Sequence, residues 1–232
     1  INIPVIEDVL AVRAVAYRHD TSGYINNIAG TVLANNGFIK QGVLAADIVA
    51  AVGGAELYQN ETDVGNATHT GGRIAVLWRP MDDLNVTLTH AYQDVEQQGQ
   101  PYVELGIGSG GYEQVTLQFG DEEGLAGKHH GHGDEINLTN LVLEYDLGWA
   151  SLLSSSAWID GDSYYKRDES AFGGRPVPIL VDGTNDTFSQ ELRLVSQLDG
   201  PFQYVAGVFY EETELNIPFS RWGSTDGQVD FL

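Results

Sequence analysis

Cysteine is absent from the 232 residues, and basic side chains are scarce, with 11 Lys and Arg against 33 Asp and Glu. The lack of cysteine excludes disulfides, thiolate metal sites and cysteine nucleophiles. The net charge of −22 argues against nucleic acid as a partner, because phosphate binding needs clustered Lys and Arg. No apolar run reaches the roughly 18 residues of a transmembrane helix. No charged segment followed by an apolar core is present, so any signal peptide is expected to have been removed or to lie outside this chain.

Glycine is abundant, at 28 residues, and a period of two dominates the apolar pattern. Residues 45–52 are the best helix candidate, and Gly53-Gly54 would end it. Turns containing Pro, Gly or Asp separate paired segments that we predict as β-hairpins. The predicted strand pairs are 1–3 with 9–18, 73–78 with 84–92, 137–145 with 149–158, and 188–195 with 202–210.

The connections between these hairpins are long and acidic. They cover residues 19–72, 93–136 and 159–187, and a fourth begins near residue 211; together they hold most of the net negative charge. Short turns at one end and long loops at the other are typical of transmembrane β-barrels, whose lipid-contacting strands exclude charge. A half-buried sheet of a soluble protein gives the same alternation, so the strand pattern alone leaves both open.

Aromatic residues cluster at both ends of the predicted strands. Trp149 and Trp158 are separated by one strand of a length that suits a tilted bilayer crossing. Two such rows are typical of interfacial girdles, although ordinary sheet aromatics are the alternative. The predicted girdle residues are Trp78, Tyr145, Trp149, Trp158 and Tyr210.

One hairpin carries a family resemblance. Residues 187–196 (TFSQELRLVS) and 200–210 (GPFQYVAGVFY) resemble a strand pair in the barrel of TonB-dependent outer-membrane receptors. Residues 2–27 and 79–87 resemble an earlier strand pair and the next hairpin of the same family, in consistent order. The resemblance covers most of the strands but not the long loops.

The resemblance implies a 22-stranded barrel closed by an N-terminal plug, with a TonB box ahead of the plug. We expect this chain to be all-β, an antiparallel transmembrane β-barrel fragment of about seven or eight strands. Residues 1–232 would form part of a single barrel domain, with the plug and the TonB box outside this chain. Implied partners are outer-membrane lipid and lipopolysaccharide, the plug, the TonB system and a small extracellular ligand. The implied location is the outer membrane of a Gram-negative bacterium.

Candidate binding residues lie in the long connections. Aromatic side chains there could stack on a ligand or could anchor the loops: Tyr102, Tyr112, Tyr164, Tyr165 and Trp222. A histidine-rich stretch could ligate a metal or could be a solvated loop: His129, His130, His132 and Asp134. Charged residues on the polar side of the strands could guide a ligand or could bond to neighbouring strands or a plug: Arg13, Arg73, Glu191 and Arg193.

The favoured function is import of a scarce nutrient ligand, such as a ferric siderophore, without a cofactor and without covalent chemistry. Residues 154–156 form a serine run in a predicted strand and lack the Gly-x-Ser-x-Gly turn of many hydrolases. Two alternatives stay open: a soluble secreted β-protein that binds Ca²⁺ or glycans through acidic loops, and a passive porin.

Overall fold

A computed structural model describes residues 1–34, 60–99, 103, 111–114, 131–168, 178–223 and 227–230. Their main feature is a ten-stranded antiparallel sheet. Its strands are β1 (Asn2–Ile6), β2 (Leu10–Thr21), β5 (Ala67–Met81), β6 (Leu84–Gln98), β8 (Gly131–Asp146), β9 (Ala150–Asp168), β10 (Pro178–Ser196), β11 (Val205–Asn216), β12 (Phe219–Gly223) and β13 (Gly227–Asp230). The first seven of these are neighbours in the order in which they are given, and each pair is antiparallel.

Two strands share the outer edge of β10. β11 pairs with residues 184–195 of β10, and β12 pairs further along with residues 179–181. The two strands therefore lie end to end, separated by Ile217 and Pro218, and Pro218 has no amide to offer the ladder. Counting from β1 to β11, the eight adjacent strand positions agree with the predicted seven or eight.

The predicted hairpins are confirmed, and their turns have the expected chemistry. Asp8 (φ 59°) and Gly148 (φ 80°) adopt left-handed backbone conformations in the β1–β2 and β8–β9 turns. Asp tolerates this region better than most residues and Gly does so without strain. These turns set the antiparallel register that brings the long strands side by side.

The strands are longer than the sequence pattern predicts. The alternation predicts that β6 ends at residue 92 and β9 at residue 158, whereas these strands reach Gln98 and Asp168. β5, β8 and β10 likewise begin well before their expected starts. Hydrophobic alternation stops where acidic residues begin, whereas the backbone ladder continues because its hydrogen bonds do not depend on side-chain polarity. The long connections are correspondingly shorter than expected.

The register divides the sheet into two faces. One transverse row contains Leu10, Trp78, Val86, Leu143, Ser154, Leu192 and Val208. We call the face that carries this row the apolar face. Alternate residues, including Arg13, Arg73, Asn140, Glu191 and Arg193, occupy the other side, which we call the polar face.

A second, three-stranded sheet holds a small core. It consists of β4 (Glu61–Val64), β3 (Ile25–Asn27) and β7 (Glu113–Gln114), followed in the chain after β3 by the helix α1 (Ala29–Ala34). Ile25 is fully buried, and the Asn27 Oδ1 atom accepts a hydrogen bond of 3.2 Å from the Ala29 amide at the start of α1. α1 was not predicted, and the helix candidate at residues 45–52 lies outside the described residues. No helix among the described residues is long and apolar enough to cross a membrane.

Large apolar side chains on the main sheet are exposed. Ile74, Leu88, Leu192 and Val208, all on the apolar face, are between 41% and 70% exposed. A soluble sheet normally buries such a face against a second layer. Within the described residues no second layer covers this face.

Candidate functional site

A groove on the polar face is a candidate binding site, because it brings two arginines together with aromatic and apolar side chains. It has a volume of about 520 Å³ and spans β2, β5, β6 and β8. Its lining is Arg13, Val15, Tyr17, Gly72, Arg73, Ala91, Tyr92, Gln93, Ile136 and Leu138. We call it the arginine groove, because its two cationic side chains lie among apolar and neutral ones.

The two arginines of the groove are diagonal neighbours. Arg13 pairs with Ala75 in the register, and Arg73 pairs with Val15, so the guanidinium groups extend from adjacent strands on the same face. In the part of the chain that the structure describes, neither forms an ion pair or a hydrogen bond. Arg193, by contrast, lies 3.7 Å from Glu191 on the same face. Two free guanidinium groups beside apolar walls are suited to an anionic ligand with two oxygen acceptors.

A tyrosine is held across the floor of the groove. The Tyr17 hydroxyl donates a hydrogen bond of 3.0 Å to Gln93 Oε1, which lies two strands away. The ring passes over Gly71 on the strand between them, where a Cβ atom would lie 2.6 Å from the hydroxyl oxygen. Because Gly71 has no side chain, Tyr17 can extend across β5 and reach Gln93 on β6. The hydrogen-bonded side chains of Tyr17 and Gln93 fix the shape of the groove.

The apolar face carries a chain of aromatic contacts. Ring centroids of Trp158 and Phe188 are 5.4 Å apart, and those of Phe188 and Tyr210 are 6.4 Å apart. These residues lie on three neighbouring strands: Phe188 pairs directly with Trp158, and Tyr210 is two residues away from the position opposite Phe188. Trp78 and Tyr145 occupy the same face at the end that carries the short turns, and Trp149 immediately precedes β9.

Charge is excluded from the apolar face between these aromatic rows. The charged side chains of this stretch all belong to the polar face: Arg13, Arg73, Glu144, Glu191 and Arg193. Several polar side chains of the apolar face bond to one another. His90 Nδ1 lies 2.9 Å from Thr139 Oγ1, and Gln190 donates to Ser154 Oγ at 3.0 Å and is bonded to the Ser156 hydroxyl. Polar groups satisfied within the sheet tolerate removal from water.

On the apolar face, acidic residues follow the row of Trp158, Phe188 and Tyr210 in the direction away from the short turns. Asp160 pairs directly with Asp186, and Glu214 lies next to Asp186 in the same transverse row. The pKa of Asp186 is raised, mainly because its protonated carboxyl donates a hydrogen bond to Asp160; desolvation and the surrounding negative charges act in the same direction. Along the strands of the apolar face, the aromatic row is therefore followed by an acidic band of Asp160, Asp186 and Glu214.

The aromatic candidates do not converge on one site. Tyr112 makes an edge-to-face contact with Tyr24, with ring centroids 5.6 Å apart, beside the small sheet. Tyr164 belongs to the apolar face, with its ring over Gly133, and Tyr165 belongs to the polar face. Consecutive strand residues point to opposite sides, so these two tyrosines cannot contact the same ligand. Tyr102 lies outside the described residues, as does the side chain of Trp222.

The predicted metal cluster is only partly within the described chain. His132 Nε2 lies 2.7 Å from Asp134 Oδ2, and its ring is in edge contact with Tyr165 at a centroid distance of 6.4 Å. His129 and His130 lie outside the described residues. Among the residues that are described, no group of three or more His, Asp or Glu could hold a metal ion.

Sequence reasoning missed Tyr17 and Gln93 as groove residues and missed the proximity of His19 to His69. The sequence alternation puts Tyr17 on the same face as Arg13, so Tyr17 could have been identified from the sequence. The pairing of β2 with β5 joins residues between 46 (Thr21 with Ala67) and 68 (Leu10 with Trp78) positions apart, and no local pattern encodes it.

A solved structure with a similar fold is the ferric yersiniabactin uptake receptor FyuA from Yersinia pestis, with a TM-score of 0.67 and 13% sequence identity. The similarity covers 96% of this chain and 29% of that receptor, so this chain spans less than a third of its length. No protein-family model matches the sequence, and no curated protein matches it. The similarity shows the fold alone, and it confirms the expected class, an antiparallel β-barrel fragment.

Proposed function

We propose that this chain is part of an outer-membrane receptor that binds a scarce extracellular ligand, such as a ferric siderophore, and imports it with energy from the TonB system. The observation that carries the proposal is the fold similarity to an uptake receptor over 96% of this chain. The sequence resemblance of the β10–β11 hairpin to TonB-dependent receptors supports it independently. In this role the protein is a transporter and carries out no covalent chemistry.

The apolar face contacts lipid in this proposal. It displays large exposed aliphatic side chains, and between the aromatic rows it carries no charge. The bonded pairs on this face remove the cost of placing a lone hydroxyl or amide in hydrocarbon. Trp78, Tyr145, Trp149, Trp158 and Tyr210 then form the interfacial girdles, and the acidic band extends toward lipopolysaccharide.

The polar face lines the interior of the barrel. The arginine groove attracts an anionic ligand there, because Arg13 and Arg73 are not neutralised by acidic side chains in the described chain. Tyr165 and His132, on the same face nearer the long loops, would contact a ligand earlier on its path. Tyr102, Tyr112, Tyr164 and Trp222, and metal ligation by His129, His130, His132 and Asp134, stay predictions.

The plug and the TonB box belong to the rest of the full-length polypeptide in this proposal. An open sheet has unpaired edge groups that hydrocarbon cannot satisfy, so further strands are needed to close the barrel. The full-length coding sequence is a direct test. A plug-like domain supports active import, whereas a complete barrel without one would favour a passive porin and contradict energy-dependent transport.

Membrane insertion is tested on the full-length protein by fractionation and by its need for detergent. We expect it in the outer-membrane fraction, with folded protein migrating faster than heated protein in electrophoresis. A protein that is folded and soluble without detergent would overturn the proposal and favour a secreted β-protein.

Ligand binding is tested with a panel of ferric siderophores and the double variant Arg13→Gln/Arg73→Gln. We expect the variant to lose affinity for an anionic ligand by roughly tenfold or more, since each charge-assisted hydrogen bond contributes about 1.5–3 kcal/mol. Arg79→Gln is the matched control, because Arg79 donates to Asn85 Oδ1 at 2.8 Å beside the β5–β6 turn. Equal affinities of all three proteins would exclude the groove as the ligand site.

A further inference from the structure

Two histidines face each other across adjacent strands on the polar face. His19 of β2 pairs directly with His69 of β5, and their ring centroids are 6.3 Å apart with an interplanar angle of 41°. Both lie at the end of the strands away from the short turns. They belong to none of the groups assigned above, neither the arginine groove nor the predicted histidine-rich stretch.

Both imidazoles are available for a ligand. In the described part of the chain neither ring makes a hydrogen bond or an ion pair. His19 is exposed and His69 is half-buried, so water and ions reach the pair. Neutral imidazole nitrogen is a good ligand for Zn²⁺, Ni²⁺ and Cu²⁺, and it binds alkaline-earth ions poorly.

The spacing suits a shared ion. A nitrogen–metal distance of about 2.0–2.1 Å places the centroids of two bound imidazoles roughly 4.5–6.5 Å apart, depending on the angle at the metal. The observed 6.3 Å lies at the upper end of this interval, which corresponds to two imidazoles on nearly opposite sides of the ion. Rotation about side-chain bonds can tune the approach, while the antiparallel ladder holds the two backbones in place.

The side chains that surround His19 and His69 on this face carry no positive charge that would repel a bound cation. In the register the nearest positions are Tyr17 and Thr21 on β2, Ala67 and Gly71 on β5, and Val95 on β6, all of them uncharged. The Tyr17 hydroxyl is directed to Gln93, so it does not compete for the imidazoles. Arg18, the cation closest in sequence, projects from the opposite face and is paired with Asp20 at 3.0 Å.

We propose that His19 and His69 form a two-histidine binding site for a divalent transition-metal ion, with Cu²⁺ bound most tightly. The order follows the general affinity series of nitrogen ligands, in which Cu²⁺ exceeds Ni²⁺ and Zn²⁺. Water completes the coordination shell, since no third His, Asp or Glu of the described residues joins the pair. Such an open site exchanges its ion readily.

The test is Cu²⁺ titration of the full-length protein in detergent, followed by calorimetry and by electron paramagnetic resonance. His129→Gln/His130→Gln/His132→Gln serves as the background, so that the histidine-rich stretch does not contribute. We expect nitrogen couplings from two imidazoles in this background. After His19→Gln or His69→Gln we expect couplings from one imidazole and a loss of affinity of about tenfold or more, since even outer-shell changes at metal sites cost 10–100-fold.

His90→Gln is the matched control, because His90 is bonded to Thr139 on the opposite face, and it should leave the high-affinity signal unchanged. Heat-modifiable migration verifies that each variant is folded. Unchanged Cu²⁺ affinity and unchanged nitrogen couplings in folded His19→Gln/His69→Gln protein would overturn the proposal. Because Cu²⁺ alone is the probe, this result is independent of siderophore import.

Discussion

The ring of Tyr17 lies over Gly71, with its hydroxyl oxygen 2.6 Å from the position that a Cβ atom on residue 71 would occupy. An aromatic side chain that covers a glycine on the neighbouring strand fills the gap in the sheet surface and fixes the register. Tyr164 covers Gly133 in the same manner on the apolar face, where a Cβ atom would lie 2.1 Å from the ring.

Gly71→Ala is therefore expected to displace Tyr17 and to break its hydrogen bond to Gln93. Overpacking of this kind typically costs about 1–3 kcal/mol, and the change should appear as a lower free energy of unfolding in urea. Tyr17→Phe should cost less, about 0.5–1.5 kcal/mol, because only the hydrogen bond is lost. Gly200→Ala is the control, since a Cβ atom there meets nothing within 4 Å. Equal stability of the Gly71 and Gly200 variants would contradict the contact.

Leu192→Arg tests which face contacts lipid. Arginine near the middle of a bilayer costs about 2–4 kcal/mol when it faces hydrocarbon in a barrel. We expect that loss in the free energy of folding into vesicles, together with a smaller folded fraction in electrophoresis. Ser189→Arg is the matched change, because Ser189 is on the same strand and on the polar face, opposite Ala157 and Glu211. A larger loss for Ser189→Arg would reverse the assignment of the two faces.

Much of this architecture could be predicted from sequence, because its signals are local. The alternation of Leu192 and Leu194 with Glu191 and Arg193 assigns faces, and turn residues such as Gly148 locate the hairpins. The strand ends could not be predicted, since alternation stops near Tyr92 although the ladder of β6 continues to Gln98. The pairing of His19 with His69 depends on which distant strands become neighbours, and the sequence pattern of either strand does not contain it.

Asp186→Asn is expected to change how stability depends on pH. The pKa of Asp186 is raised above its ordinary value of 3.8, mainly by the hydrogen bond with Asp160. A raised pKa in the folded state means that protonation favours folding, so this contribution is present at low pH and is lost as pH rises through the folded-state value. Melting temperatures between pH 4 and 7 measure it, at a constant ionic strength because exposed charges are screened.

The asparagine variant should be less sensitive to pH over this interval and should melt at or above the wild-type temperature at neutral pH. Asp199→Asn, at an exposed turn position, controls for the loss of one negative charge. A wild-type melting curve that rises steadily with pH, and that Asp186→Asn leaves unaltered, would show that the carboxyl pair does not act on stability.

Gln190 connects Ser154 and Ser156 of β9 across the apolar face, and this network offers a test with two opposite outcomes. Gln190→Leu leaves two hydroxyl groups without that partner, which should cost about 1–3 kcal/mol if the face is in lipid. The triple variant Gln190→Leu/Ser154→Ala/Ser156→Ala also removes the two hydroxyl groups that the single variant leaves without a partner. It should therefore restore most of the lost stability. In water the hydroxyls would bond to solvent, so the single variant would cost little. Urea titrations in vesicles distinguish the two environments: a triple variant less stable than the single one would argue against a lipid-facing surface.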